Sequence, residues 1–295
     1  MIKTFEIGNI YAPLEKESIF VRLTHGCKWN KCIFCDSYSN QHFKIRPVEE
    51  IKNDLNTIYE LQNTVNGSNL NTIFFKRAQK WKNAKTIFFE DTDVLFIETN
   101  KLLNIIDYIK KLFPYVQRFS SYASVKNLND KPINELKELY KANFDRFYIG
   151  LESGCKETLK LIKKDIKYEN ILYAHKKAIE IGFKLFDHYI IGIGGRTLSK
   201  QHALKSAKIL NFINPYAVEI RTTIVSNGTE LERMKNENIW KMLSKEGLNK
   251  ELKLFLETLN FDGWLFSDHY CNLYRDMNGK FKENKLDFIK KIKIY

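Results

Sequence analysis

The chain has 295 residues, 44% of them apolar and 14% aromatic, enough for one large domain or two small ones with a sizeable core. Its formal charge of +13 (48 Lys and Arg against 35 Asp and Glu) would draw anions such as nucleic acid or phosphorylated compounds, but the lysines are scattered and only residues 76–85 form a dense basic run, which also reads as a solvated helix face. No apolar run approaches the roughly 20 residues of a membrane helix, the start lacks the apolar stretch of a signal peptide, and five cysteines, three of them clustered, argue against a disulfide framework and for a reducing, cytoplasmic compartment.

After a lead-in over residues 1–17, residues 18–23 predict a first strand that runs into the stretch holding Cys27, Cys32 and Cys35. Pro47 then opens a helix in which Ile51, Leu55 and Ile58 keep helical spacing, with Glu49 and Glu50 in its first turn. Residues 86–89 predict a second strand, followed by a helix with Leu102, Leu103, Ile106 and Ile109 that Pro114 stops. Residues 118–122 predict a third, before a helix carrying Ile133, Leu136 and Leu139. A fourth strand spans 146–151; a short helix around Leu159 and Ile162 follows, then a longer one through Ile171, His175 and Ala178, closed by Gly182. A fifth strand spans 185–191, a helix through Leu204, Ala207 and Leu210 ends before Pro215, and a sixth strand spans 217–222.

Six strand–helix units with apolar strands predict an α/β fold with a parallel sheet, a partial (β/α)6 TIM-like barrel over residues 1–228. Residues 229–295 read as a short helical C-terminal extension packed on it. In such a barrel the loops after the strands gather on one face, where active sites sit, and the cysteine loop follows the first strand.

That loop has the spacing C-x4-C-x2-C, with Gly26 allowing a tight turn before the first cysteine. Three thiolates on one short loop can hold three corners of an iron–sulfur cube and leave the fourth iron open. A zinc site completed by His25, Asp36 or His42, and plain coincidence, are the alternatives; zinc usually pairs two C-x2-C units or one with two histidines, and a single C-x2-C is present.

With Phe34 directly before the last cysteine, the loop resembles the cluster-binding signature of the radical S-adenosylmethionine superfamily. The commonest spacing there is C-x3-C-x2-C; the wider first gap resembles Elongator-type tRNA-modifying subunits. The resemblance covers residues 19–222. It implies a [4Fe–4S] cluster on Cys27, Cys32 and Cys35, S-adenosylmethionine on the fourth iron, a 5′-deoxyadenosyl radical that abstracts hydrogen from a substrate, and an electron donor such as flavodoxin or ferredoxin. It places the backbone beside Phe34 against the adenine. Glu90-Asp91-Thr92-Asp93 follows the second strand, where relatives carry a Gly-Gly-Glu-type turn for the cofactor's amino group; here the glycines are missing, and a carboxylate or a backbone carbonyl could accept from that ammonium. An acidic cap on the next helix is the plainer role for this stretch. Gly150-Leu151-Glu152-Ser153-Gly154 resembles the motif that contacts the cofactor's ribose or methionyl part, although Ser153 could simply cap a helix. Gly192, in the glycine-rich loop after the fifth strand, would give room for the adenine; the spacing there fits neither a P-loop nor a dinucleotide fingerprint.

On the substrate side, Tyr122, Ser124 and Arg221 fall at or just past strand ends and could line the cavity or its rim. The tail segment Ser-Asp-His-x-x-Asn from Ser267 resembles one in single-domain iron–sulfur oxidoreductases of that superfamily; Asp268 could orient His269, or cap a helix beside a packed histidine. Cys155 and Cys271 read as buried apolar residues. No cobalamin-binding segment and no second cysteine cluster is present, so methylthiolation and methylation by a fused cobalamin domain are not expected. The target is a small molecule or peptide, with RNA as the alternative that would use the basic run.

Overall fold

Short aromatic and β-branched runs interspersed with amphipathic segments give strands separated by one or two helices through most of the chain. The structure, a computed structural model, describes residues 3–8, 11–64 and 72–293, so residues 1, 2, 9 and 10 of the expected lead-in lie outside the described residues. Strand β1 (Ile19–Arg22) leads to a small antiparallel ladder of β2 (Thr24–His25) with β3 (Lys44–Ile45), then to helices α1 (Val48–Asn63) and α2 (Ile73–Lys80). There follow β4 (Thr86–Asp93) with α3 (Thr99–Leu112), β5 (Arg118–Ala123) with α4 (Val125–Asp130) and α5 (Ile133–Lys141), and β6 (Phe144–Glu152) with α6 (Lys156–Leu161) and α7 (Asn170–Ile181). Strand β7 (Lys184–Ile191) precedes α8 (Gly195–Ile213), and β8 (Ala217–Thr222) precedes α9 (Glu230–Asn236) and α10 (Lys245–Thr258). Two short strands, β9 (Trp264–Phe266) and β10 (Gly279–Lys280), and helix α11 (Phe281–Lys291) complete the described chain.

The eight-stranded sheet has the order β1-β4-β5-β6-β7-β8-β9-β10. Pairs β1–β4, β4–β5, β7–β8 and β8–β9 are parallel, and β10 is antiparallel to β9. This is the expected α/β fold with the connectivity of a partial (β/α)6 barrel. The extension differs from an all-helical one, because β9 and β10 continue the sheet. Among the described residues no helix is long and apolar enough to cross a membrane.

The chain divides into two compact units. The first comprises Met1–Lys28, Asn40–Ala123 and Lys131–Phe147; the second comprises Trp29–Ser39, Ser124–Asp130 and Tyr148–Tyr295. In the first, Phe89 stacks on Phe119 at 5.9 Å and packs against Phe144, while Ile51, Leu55 and Ile58 of α1 are buried as their spacing predicts. Each such side chain contributes about 1.5–3 kcal/mol of burial. Near the start of β5, Glu15 takes both guanidinium nitrogens of Arg118 (2.8 and 2.9 Å), Arg146 (3.1 Å) and the Ser18 hydroxyl (2.6 Å). Burial works to raise the Glu15 pKa, but these partners outweigh it and hold the carboxyl below its ordinary value.

In the second unit the two faces of each strand differ, as the period of two demands. The helix-covered face buries Tyr189, stacked on Phe255 of α10 at 3.9 Å, and pairs Asp187 with His175 of α7 at 2.9 Å. Gly182 ends α7 at φ 115°, as its place in the sequence suggests. The opposite face carries Tyr148, Gly150 and Glu152 of β6, Phe186 and His188 of β7, and Glu219 and Arg221 of β8, with Tyr148 against Phe186 (4.9 Å) and Phe186 against Phe266 (6.3 Å). A strand face that is apolar at its base and charged toward its C-terminal end marks a site.

Candidate functional site

The first unit supplies the start of the cysteine loop. Gly26 turns at φ 67°, where an added Cβ would lie 2.9 Å from the His42 carbonyl oxygen, so only glycine fits without displacing the backbone there. The Gly26 carbonyl accepts from Thr92 Oγ1 at 3.0 Å, which ties the loop to β4. Cys27 is partly exposed. His25, a candidate fourth zinc ligand, has its Nε2 on Glu6 (2.6 Å), and Asp36 and His42 are exposed.

The expected turn at Glu90-Asp91-Thr92-Asp93 is instead part of β4, which extends to Asp93. Its register against β5 shifts between Phe89 and Asp93, and Asp91 has φ 71°, so the four residues form a bulge rather than a loop. Asp93 does act as a cap, accepting from the Leu95 N–H at 2.8 Å. Asp91 pairs with Arg22. Glu90 is buried against Gly8, whose Cα leaves room that a Cβ would lose at 2.5 Å from Oε2. Removal from water, then the adjacent Asp91 charge, pushes the Glu90 carboxyl up to about 8 against the weaker pull of Arg77, the Gly8 backbone and Arg22. Tyr122 of β5 is half-buried, its ring edge-on to Phe88 at 5.5 Å.

The second unit carries the rest of the loop, Trp29–Ser39. Ile33 is fixed on both sides: its N–H donates to the Ile162 carbonyl (3.2 Å) and its carbonyl accepts from Leu231 N–H (2.9 Å). The Cys35 N–H donates to the Cys32 carbonyl at 3.1 Å, and Phe34 between them is partly exposed. Near this loop Glu152, at the end of β6 with φ 62°, pairs with Lys164 at 2.9 Å. Burial works to lower the Lys164 pKa, but Glu152 and then the sulfurs of Cys32 and Cys35 outweigh it and raise it above the ordinary lysine value. Gly150 gives this pair room, because a Cβ there would meet Glu152 Oε1 at 2.6 Å and Lys164 Nζ at 2.7 Å and those side-chain ends would have to shift. Ser153 is turned away, bonding His202 Nδ1 (2.8 Å) and accepting from Cys155 N–H (2.9 Å) at the start of α6.

Gly192, at φ 82°, is held by Glu251 of α10, which accepts from its N–H at 2.6 Å and from Ser199 Oγ at 2.5 Å. Burial, against those hydrogen bonds, pushes Glu251 up to about 7, and burial, against the Ile190 carbonyl, pushes His202 down to about 4. Helix α10 thus pins the glycine-rich loop.

Arg221 donates to Glu219 Oε2 (2.7 Å), and His188, in register with Glu219, approaches the same oxygen at 3.2 Å. Glu219 is 1% exposed; burial works against its charge, but His188 and Arg221 win and keep its pKa below the ordinary value. His269 belongs to this group: burial, then Arg221 and His188, push it down to about 4, against Glu219. Its partner is Cys271 Sγ (2.8 Å), not Asp268, which is exposed. Asn272 clips the tail to β8, donating to the Ile220 carbonyl (2.8 Å) and accepting from Thr222 Oγ1 (3.1 Å). Cys271, expected to be buried, is half-buried and accepts from Thr222 N–H at 3.4 Å, while Cys155 is buried as expected. Ser124 caps α4, accepting from Asn127 N–H at 3.1 Å. Sequence reasoning missed Lys164, His188 and Glu219.

Among the described residues no three His, Cys, Asp or Glu side chains are set around a single metal ion. The test of fit is therefore the donor chemistry: three thiols within nine residues, none in a disulfide and all partly exposed, with the Lys164 ammonium acting on two of them. That set suits an anionic thiolate-bound cluster.

Comparison with known proteins bears on the same loop. The family described as the Radical SAM superfamily matches residues 21–208. Over 182 residues the chain is 25% identical to the heme chaperone HemW of Bacillus subtilis, covering 61% of this chain and 44% of that protein. The chain spans less than half the length of the curated relatives it matches. Among solved structures, coproporphyrinogen III oxidase (HemN) from Escherichia coli superposes with a TM-score of 0.57 at 15% identity, over 81% of this chain and 52% of that one. The archaeal Elp3 of Methanocaldococcus infernus gives 0.53 at 14% identity, over 75% and 58%. At those identities the likeness to the solved structures is one of fold.

Proposed function

The chain belongs to the radical S-adenosylmethionine superfamily, whose enzymes work with a [4Fe–4S] cluster and S-adenosylmethionine, and we propose that Cys27, Cys32 and Cys35 hold that cluster here. When bound, the pair supplies an electron and a sulfonium whose cleavage yields the 5′-deoxyadenosyl radical that takes hydrogen from a substrate. Three partly exposed thiols within nine residues, none of them in a disulfide, carry this reading.

The chain's own residues divide the remaining work. Phe34 presents its backbone to the adenine, and Gly192 stands at the turn after β7 on the adenine's side. Glu152, charge-balanced by Lys164 and given room by Gly150, accepts from the ribose hydroxyls or the methionyl ammonium. Ser153 acts through α8 as a positioning residue. Glu90 holds its proton up to about pH 8 and Asp91 is spent on Arg22, so the carbonyls released by the β4 bulge serve as the acceptors at that position.

The substrate is a small molecule or peptide met by His188, Glu219, Arg221 and His269, with Asp268 exposed nearby in the same tail and the extension from residue 229 setting specificity; Tyr122 is a further substrate-side candidate. Work in a reducing cytoplasm with a flavodoxin or ferredoxin as donor completes the reading. An RNA substrate would instead use α2, where Lys76 and Lys80 are exposed; if so, bulk tRNA binds at low salt and is released steeply as salt rises, and undetectable binding removes that reading.

The deciding experiment is anaerobic reconstitution. The wild type should show a cluster EPR signal after reduction and form 5′-deoxyadenosine with dithionite and S-adenosylmethionine. Cys32→Ala should lose both; a variant that keeps its cluster would overturn the ligand assignment.

A further inference from the structure

Against the cysteine loop, in the second unit, lies a cavity of about 410 Å3 to which the reading above gives no role. It is walled by Trp29 of the loop, by Tyr168, and by five lysines from α6 and the stretch after it. The wall is fastened to the loop. The Trp29 indole N–H donates to the Lys163 carbonyl at 2.7 Å, and the neighbouring Ile162 carbonyl accepts from Ile33 at 3.2 Å.

Three of the five ammoniums are answered locally: Lys156 by Glu169 (2.9 Å), Lys163 by Glu230 (2.6 Å) and Lys164 by Glu152 (2.9 Å). Lys160 and Lys167 are exposed and make no ion pair among the described residues. The rim therefore keeps a cationic excess beside a partly exposed indole, on a chain whose overall charge is +13. Such a surface accelerates and orients encounters with an acidic partner, an effect that salt screens. Because Trp29 of the loop forms one wall, a redox group seated there lies against the loop that carries Cys32 and Cys35.

Resting on the reading that the loop holds the cluster, we propose that this lysine-rimmed face docks the acidic protein that delivers the reducing electron. One electron leaves the reduced donor, which is oxidised by that electron, and enters the centre held by the cysteines; no proton moves and no covalent bond changes.

The test compares the wild type with Lys160→Glu/Lys167→Glu in two measurements. Binding of oxidised flavodoxin, and separately of a plant-type ferredoxin, is measured by calorimetry at low and at high ionic strength. The affinity of at least one should fall about tenfold or more in the variant, and in the wild type should weaken as salt rises. Deoxyadenosine formation driven by that reduced donor should drop by a similar factor, while the rate with dithionite stays within about twofold. Unchanged affinity, no binding of either acidic donor to the wild type, or an equal loss with dithionite would each overturn the proposal. A wild type that forms no deoxyadenosine even with dithionite would defeat the cluster reading and the docking proposal together.

Discussion

Glu90, at the bulge of β4, and Glu152, at the end of β6, are two carboxylates each beside or within a left-handed bend (Asp91 at φ 71°, Glu152 at φ 62°) and each more than nine-tenths buried. Their neighbours differ. Glu90 sits next to a second acid whose cation, Arg22, is already taken, so the cheapest state for it is the protonated one up to about pH 8. Glu152 faces the Lys164 ammonium at 2.9 Å. The same residue type is thus a proton holder in one unit and a lysine's partner in the other, and the difference is made by what lies within about 4 Å.

The largest effect should come from making Glu152 resemble Glu90. Lys164→Met leaves a buried carboxylate without its cation and should cost about 3 kcal/mol of stability in urea denaturation. Adding Glu152→Gln should restore most of it, because removing both charges is far milder than removing one. Single and double variants of equal stability would show that the pair is not coupled. A smaller disturbance tests the room the pair needs. Gly150→Ala places a methyl 2.6 Å from Glu152 Oε1 and should cost about 1–2 kcal/mol by forcing the ion pair aside. If Glu152 contacts S-adenosylmethionine, the same variant weakens its equilibrium binding about tenfold, or about 1.4 kcal/mol; unchanged affinity would remove Glu152 from the cofactor site.

Much of this frame is legible in the sequence, because strand and helix periods, Pro47, Pro114 and Gly182 act locally. The cysteine loop is legible for the same reason, since its chemistry depends on spacing alone. The bulge at residues 90–93 is not, because a register shift belongs to the pairing of β4 with β5 rather than to either strand. Strand β9 has three residues, too few to show a period. Lys164 is one lysine among 48 Lys and Arg residues until the fold sets it against Glu152. His188 alternates correctly with Phe186, but nothing local says that its face, rather than that of Asp187, is the one left without helices. Ser153 illustrates the converse: its motif suggested the cofactor, while the helix packed beside it claims the hydroxyl.

The remaining prediction concerns a slope rather than a loss, and it is small at any one acidic pH. Folded, Glu90 keeps its proton to about pH 8; unfolded, it gives it up near 4.5. Between those values the folded state binds the extra proton, so unfolding free energy falls as pH rises, by at most about 1.4 kcal/mol per pH unit; below 4.5 and above 8 the contribution is flat. Glutamine at this position keeps the shape and cannot ionise. Glu90→Gln and the wild type should therefore be nearly equal in stability at pH 5 and diverge in favour of the variant by about 1 kcal/mol per unit toward pH 8, read as the urea midpoint at several pH values. Parallel curves would mean that the Glu90 charge finds a partner as Glu152 does, and the two carboxylates would then differ in name of partner only.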